Sequence, residues 1–189
     1  MIPRYRLRAL LGLAAGLLAA GCVTNKPPYY APAVKEWAAT APPDTSELEF
    51  TAFLIGDAGS PEPDEPIIQL LRKQIHESSA IDRSAVVYLG DNIYPVGMPD
   101  EGAATRKEME RRMNTQLDIL KGYRGERYVI PGNHDWGQGT PDGFRRNANQ
   151  EAYVEKYLRE QDSLLVLGGD TYVPSNGCPG PFEVRVAGS

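Results

Sequence analysis

The chain has 189 residues, of which 25 are acidic, 20 are Lys or Arg, two are Cys and two are His. This length fits one domain or part of a larger one, and 41% hydrophobic residues suffice for a core, which excludes wholesale disorder. The formal net charge of −5 argues against general nucleic-acid binding, and two Cys exclude a disulfide-stapled mini-fold or a Cys-rich zinc module.

Residues 1–21 have the pattern of a secretory signal peptide, with three arginines ahead of an apolar run that is too short to span a bilayer. The end of this run, residues 17–22 (Leu-Leu-Ala-Ala-Gly-Cys), resembles a bacterial lipoprotein lipobox. The resemblance implies cleavage before Cys22 and lipidation of Cys22, hence a membrane anchor. Val23, rather than Asp, implies the outer membrane. The alternative is an ordinary signal peptide with a chance Cys at its end.

Residues 22–46 contain five prolines, which fix the backbone and remove hydrogen-bond donors. This composition predicts an extended tether between the anchor and a folded domain. The domain itself is predicted to occupy residues 47–189.

Short apolar runs in the domain predict strands over residues 51–55, 86–89 and 127–130, with a further strand over 183–186. The first two are expected to be buried strands. Apolar residues at helical spacing predict helices between and after the first three strands, over residues 64–78, 104–120 and 148–161. This alternation predicts an α/β fold with parallel strand pairing.

A polar motif follows each of the first three strands: residues 56–59 (Gly-Asp-Ala-Gly), 90–94 (Gly-Asp-Asn-Ile-Tyr) and 132–135 (Gly-Asn-His-Asp). Parallel α/β sheets bind ligands outside the carboxyl ends of their strands, so the three motifs are expected to converge. A glycine opens each motif and permits a tight turn.

Carboxylate and amide oxygens suit hard cations, and imidazole suits Zn, Fe and Mn. A bridging carboxylate can hold two ions about 3.5–4 Å apart, which is the geometry that clamps a phosphoryl group. The competing interpretation is that Gly-Asp after a strand is ordinary turn chemistry, which would leave a bland α/β module. Three such motifs in this order favour a metal site.

The three motifs together resemble those of the calcineurin-like metallophosphoesterases. Gly-Asp-x-Gly without a following His, and a Tyr three places after Asp91, are most similar to the purple acid phosphatase branch. The resemblance covers residues 50 to 187. It implies the N-terminal part of a two-sheet α/β/β/α sandwich, which would be incomplete in this chain.

The resemblance also implies roles and a cofactor. Asp57 and Tyr94 would ligate a first metal, typically Fe(III), Asp91 would bridge both metals, and Asn133 would ligate a divalent Fe, Zn or Mn. The implied reaction is phosphomonoester hydrolysis by metal-bound hydroxide. In this scheme His134 would stabilise the phosphoryl group or protonate the leaving oxygen, and Asp135 would orient His134.

The family completes its site with further histidines, whereas this chain has only His76, expected on a helix surface, and His134. We therefore expect the chain to be C-terminally truncated and inactive unless such ligands complete it. Cys178 would lack a disulfide partner in an exported protein, which also favours truncation. The alternative function is a non-catalytic, membrane-anchored lipoprotein that binds metal or phosphate weakly.

Overall fold

The computed structural model describes residues 48–77, 81–161, 170–177 and 181–184. The signal peptide, Cys22 and the tether, together with Cys178, lie outside these residues. The described residues form a mixed α/β domain with strands β1 (Thr51–Ile55), β2 (Ser84–Tyr88) and β3 (Glu126–Val129) and helices α1 (Pro66–Glu77), α2 (Arg106–Leu117) and α3 (Gly143–Gln161). None of the described helices is long and apolar enough to cross a membrane.

The three strands form one parallel sheet in the order β1-β2-β3. Their β-branched and aromatic residues favour the extended backbone. A short segment beyond β3 continues the sheet, because Val129 and Tyr172 form a parallel bridge. The backbone N–H of Val129 donates to the carbonyl of Thr171 at 2.8 Å, and that of Val173 donates to Val129 at 2.9 Å.

All three helices pack on the same face of the sheet. Their apolar stripes join the inward side chains of the strands in one core, which includes Ile68, Ile75, Met113, Leu117, Val154 and Leu158. The rule of right-handed crossovers accounts for this placement, because each new strand is added on the same side of the last. The helices therefore accumulate on one face.

The opposite face of the sheet is apolar and carries none of the described helices. Leu54 and Leu89 on this side are 60% and 50% exposed. A groove of about 490 Å³ runs across the face, with walls from all three strands and the segments that follow, including Ala52, Ala85, Val87, Ile130, Val173 and Phe182.

The predicted alternation of strands and helices is confirmed, with shifts at the ends. The third helix begins five residues earlier than predicted, and the second ends at Leu117, where a 3-10 turn (Asp118–Leu120) takes over. The expectation that β1 is buried is wrong for its open side, where Ala52 and Leu54 are exposed. Residues 183 and 184 are not in a strand, and the rest of that predicted strand lies outside the described residues.

Candidate metal centre

The three loops that follow the strands meet at the carboxyl edge of the sheet, as the motifs predict. Backbone hydrogen bonds join the first loop to the second: the N–H of Asp57 donates to the carbonyl of Gly90 at 3.1 Å, and that of Tyr94 donates to Gly59 at 2.9 Å. The third loop is joined to the second through a side chain, because the N–H of His134 donates to Asp91 Oδ1 at 3.0 Å.

Asp57 and Asp91 both adopt the left-handed backbone conformation, with φ of 57° and 54°. Few residues other than Gly tolerate this conformation, and Asp is one of them. Non-glycine residues held there are concentrated at functional sites, because the surrounding structure must compensate for the strain. The same conformation at the ends of neighbouring strands directs both Asp residues to one place.

Two glycines permit the loops to approach closely. A Cβ atom on Gly132 would lie 2.3 Å from Asp91 Oδ1, and one on Gly59 would lie 2.5 Å from the Asp91 carbonyl oxygen. Gly90, at φ +100°, also needs the conformational freedom of glycine. Gly56 is not required for close approach, because a Cβ atom there would only make an ordinary contact with Leu89 at 3.5 Å.

Three oxygen-bearing side chains converge in front of these loops. The Tyr94 hydroxyl donates to Asp57 Oδ1 at 2.9 Å and lies 3.4 Å from Asp91 Oδ2. The hydrogen bond to Asp57, with partial burial and the charges of both carboxylates, raises the pKa of the Tyr94 phenol to about 12. In the metal-free protein the phenol is therefore protonated at neutral pH, and a metal ion that it ligates must displace this proton.

The His134 ring stands beside these oxygens. Its Nε2 lies 4.0 Å from Asp91 Oδ2, and its ring packs edge-on against Tyr94 with centroids 4.4 Å apart. Nδ1 lies 2.6 Å from the Pro95 carbonyl oxygen and donates to it in the tautomer that carries a proton on Nδ1, because a carbonyl oxygen can only accept. The Gln138 amide nitrogen lies 2.8 Å from Nδ1 and 3.3 Å from Nε2.

Asp135 is fully buried and holds the loops together. Its carboxylate accepts from the backbone N–H groups of Asn92, Ile93 and Gly132 at 2.8–3.1 Å, and from the Asn92 side-chain amide at 3.1 Å. Burial raises the pKa of the Asp135 carboxyl, and the backbone donors oppose that shift. The expectation that Asp135 orients His134 is therefore corrected, since the Pro95 carbonyl holds that ring.

Asn133, predicted to ligate the second metal, is exposed at the same edge. Its backbone carbonyl accepts from the N–H of Gln138 at 2.7 Å, which fixes the turn. Within the described residues its side-chain amide makes no hydrogen bond. The amide oxygen is thus available as a ligand.

The donor set fits one metal ion better than two. Asp57 and Asp91 each place a carboxylate oxygen within 3.4 Å of the Tyr94 hydroxyl, which gives a first ion three hard oxygen ligands. A second ion would have only the Asp91 bridge and the Asn133 amide. No group of three or more His, Cys, Asp or Glu side chains that could hold a metal is found among the described residues.

A charged network on α2, which the sequence motifs did not reveal, supports two of the loops from behind. Glu108 receives hydrogen bonds from Arg111 at 2.8 and 2.9 Å and from Arg112 at 2.9 Å. Arg111 also donates to the Pro61 carbonyl at 3.2 Å, and Arg112 donates to the Tyr94 carbonyl at 3.0 Å. One carboxylate therefore ties both loops to one helix.

Comparisons with known proteins gave no match: no family model matches the chain, no curated protein matches its sequence, and no solved structure matches it. The likeness to the metallophosphoesterases therefore rests on the three motifs, and any function assigned to this chain is an inference from its residues.

Proposed function

We propose that the protein is a metal-dependent phosphoesterase that hydrolyses phosphomonoesters. One observation carries the proposal: the Tyr94 hydroxyl lies 2.9 Å and 3.4 Å from carboxylate oxygens of Asp57 and Asp91, at the end of a parallel sheet. Three oxygen-bearing side chains from two separate loops thus converge, and His134 lies beside them. Turn chemistry alone would not require this convergence.

The proposed cofactor is a pair of metal ions, Fe(III) with a divalent Fe, Zn or Mn. Asp57 and Tyr94 would hold the first ion, Asp91 would bridge, and Asn133 would hold the second. Metal ions of this kind lower the pKa of coordinated water toward about 7 and neutralise phosphoryl oxygens. Further ligands of the second ion would come from outside the described residues.

The reaction consumes one water molecule. The bond between phosphorus and the ester oxygen breaks as the water oxygen bonds to phosphorus, and the alcohol leaves with a proton. In this reaction His134 would stabilise the phosphoryl group or protonate the leaving oxygen. Its Nδ1 is held by the Pro95 carbonyl, so Nε2 is the atom that faces Asp91 and the reacting group.

We also propose that the open face of the sheet packs against a second β-sheet, which would complete an α/β/β/α sandwich. The apolar groove across that face and the exposed side chains of Leu54 and Leu89 on it support this proposal. Two sheets packed face to face bury such side chains between them.

Turnover of a chromogenic phosphomonoester by the protein expressed from its complete natural reading frame, with Fe, Zn or Mn, tests the function. Asp91→Asn should lower kcat by at least about a hundredfold and weaken metal binding, because the bridging charge is lost. Asp82→Asn is the matched control: Asp82 lies at the opposite end of the sheet and pairs with Arg124 at the surface.

Wild-type turnover that Asp91→Asn leaves unchanged would contradict the site. Metal uptake without turnover would instead favour the second candidate, a non-catalytic lipoprotein that binds metal or phosphate. One observation favours this second candidate. Among the described residues, a second ion would have only the Asp91 bridge and the exposed Asn133 amide as ligands.

We propose that the protein is exported and anchored to the outer membrane through lipid on Cys22. Cys22→Ser should move the protein from the membrane fraction to the soluble fraction and abolish metabolic labelling with a fatty acid, because the thiol is the attachment point. Unchanged fractionation and labelling would refute the anchor. Substitution of Val23 by Thr, which leaves the Cys in place, serves as the control.

A further inference from the structure

A small pocket adjoins the candidate metal centre and is not used by any role assigned above. Asp57 and Tyr94 form its inner edge, and its volume is about 260 Å³. This is about nine times the ~30 Å³ that one water molecule occupies in the liquid. Most of its wall is apolar and comes from the first loop and the start of α1, namely Ala58, Pro61, Ile67 and Ile68.

The charged side chains among the described residues that line this pocket are all acidic. Beyond the candidate ligands, Ser60 and Glu65 line it, and of the described residues that line it none is Lys or Arg. Arg111, which donates to the Pro61 carbonyl behind the wall, is engaged by Glu108. Glu65 is half-buried, so its carboxylate is less screened by solvent than a fully exposed one.

We propose that this pocket binds the alcohol part of the substrate and selects phosphomonoesters of small alcohols that carry an alkylammonium group. This inference rests on the proposed phosphoesterase function and names the substrate class of the same site. Asp57 and Tyr94, two of the candidate metal ligands, also line the pocket, so the alcohol part of an ester whose phosphoryl group binds at the candidate centre could enter it.

The side chains that line the pocket suit an alcohol that carries an alkylammonium group. Apolar side chains accept the methyl and methylene groups, which gain by leaving water. The Glu65 carboxylate attracts the positive charge. The same carboxylate repels alcohols that carry an additional phosphate or carboxylate, and the small volume disfavours large ones.

A matched pair of substrates isolates the charge. Phosphocholine and 3,3-dimethylbutyl phosphate have nearly the same shape, but only the first is cationic. The wild-type protein, in its natural full-length form, should favour phosphocholine in kcat/KM by about fivefold, as expected for a partly exposed ion pair. Glu65→Gln should bring the ratio near one, mainly through a lower kcat/KM for phosphocholine.

Two further variants separate charge from packing. Ile67→Ala should lower kcat/KM for both esters by a similar factor and leave their ratio unchanged, because Ile67 supplies only apolar wall. Glu77→Gln, at the far end of α1 and 64% exposed, should change neither value. A ratio near one in the wild-type protein, or a ratio that Glu65→Gln does not alter, overturns the proposal.

Binding of the free alcohols distinguishes this proposal from the function on which it rests. Choline and 3,3-dimethylbutanol are titrated into the protein while the methyl signals of Ile67 and Ile68 are followed by NMR. Tighter binding of choline, lost in Glu65→Gln, supports the pocket even if neither ester is hydrolysed, in which case only the phosphoesterase proposal fails. Equal or undetectable binding of both alcohols, in protein that does turn over esters, refutes the pocket alone.

Discussion

Asp57 and Asp91 show how single residues build the candidate centre. Each follows a strand, and each uses the left-handed conformation to turn the chain. Because β1 and β2 are adjacent and parallel, the two turns bring both carboxylates to the same hydroxyl, that of Tyr94. The sequence can place these residues at one edge, since the carboxyl ends of parallel strands share an edge of the sheet. It cannot show which oxygen faces which, because that depends on backbone angles.

Asp135 differs from the other acidic residues of the site because it is structural. Its carboxylate is fully buried and accepts only from N–H donors, so replacing either oxygen with an amide nitrogen would set a donor against a donor. We expect Asp135→Asn to lower the free energy of unfolding by about 2–3 kcal/mol, measured by urea denaturation.

Asp82→Asn provides the comparison for this measurement. Asp82 is 66% exposed in the side chain, so its loss should change the free energy of unfolding by less than about 0.5 kcal/mol. If Asp135→Asn were as mild as this control, the carboxylate would not hold the loops together.

The sequence motif alone does not predict the role of Asp135. Asn133, His134 and Asp135 are consecutive, and proximity in sequence favours the idea that the acid orients its His neighbour. The structure gives Asp135 a different role, because its side chain is buried in the domain while His134 remains at the edge. Only the position of the second loop, which supplies Asn92 and Ile93 as donors, reveals what the carboxylate does.

At the scale of elements, α2 is both a core helix and a support for the site. Its apolar side, with Met109, Met113 and Leu117, packs in the core, as the spacing predicts. Its polar side carries Glu108, which joins Arg111 and Arg112 to the loops that bear the candidate ligands. Helical spacing predicts the pairing of Glu108 with Arg112, but the loop carbonyls that the arginines reach are far away in sequence.

We expect Glu108→Gln to loosen both loops and so weaken metal binding about tenfold, with little change in helix content. Without the carboxylate, the two guanidinium groups repel each other and lose the partner that orients them toward Pro61 and Tyr94. Isothermal titration with Zn²⁺ or Mn²⁺ measures the affinity, and circular dichroism checks the helix. Glu160→Gln, in an exposed pair with Lys156 on α3, is the control.

The effect of Glu108 on stability should depend on pH. Hydrogen bonds from Arg111, then from Arg112, hold the pKa of Glu108 at about 2, below its ordinary value of 4.5. A carboxyl with a lowered pKa stabilises the folded state above its unfolded pKa and loses that contribution as the pH falls toward its folded pKa. The difference in melting temperature between the wild-type protein and Glu108→Gln should therefore shrink from about pH 5 toward pH 3. A constant difference would argue against this network.

At the scale of the whole domain, connectivity decides which face of the sheet is covered. The order β1-β2-β3 and the crossover rule together require that α1 and α2 share a face, and α3 joins them. The predicted alternation of elements was sufficient to infer a parallel sheet. It was not sufficient to infer the strand order, and therefore not which face of the sheet the helices cover.

The open face provides a test of the proposed sandwich. Val87 lies in the middle of the groove, on the central strand. In protein expressed from its complete natural reading frame, Val87→Lys should lower the free energy of unfolding by more than about 2 kcal/mol if a second sheet covers this face, because a charge would be buried without a partner.

Leu70→Lys separates burial from the general effect of adding a charge. Leu70 is 51% exposed on α1, on the other side of the molecule, so its replacement should change the free energy of unfolding by less than about 0.5 kcal/mol. Equal effects of the two substitutions would mean that water reaches Val87 and that no sheet covers the groove. A large effect of Val87→Lys alone would place a packed layer over β2, since no described helix lies on that face to account for the loss.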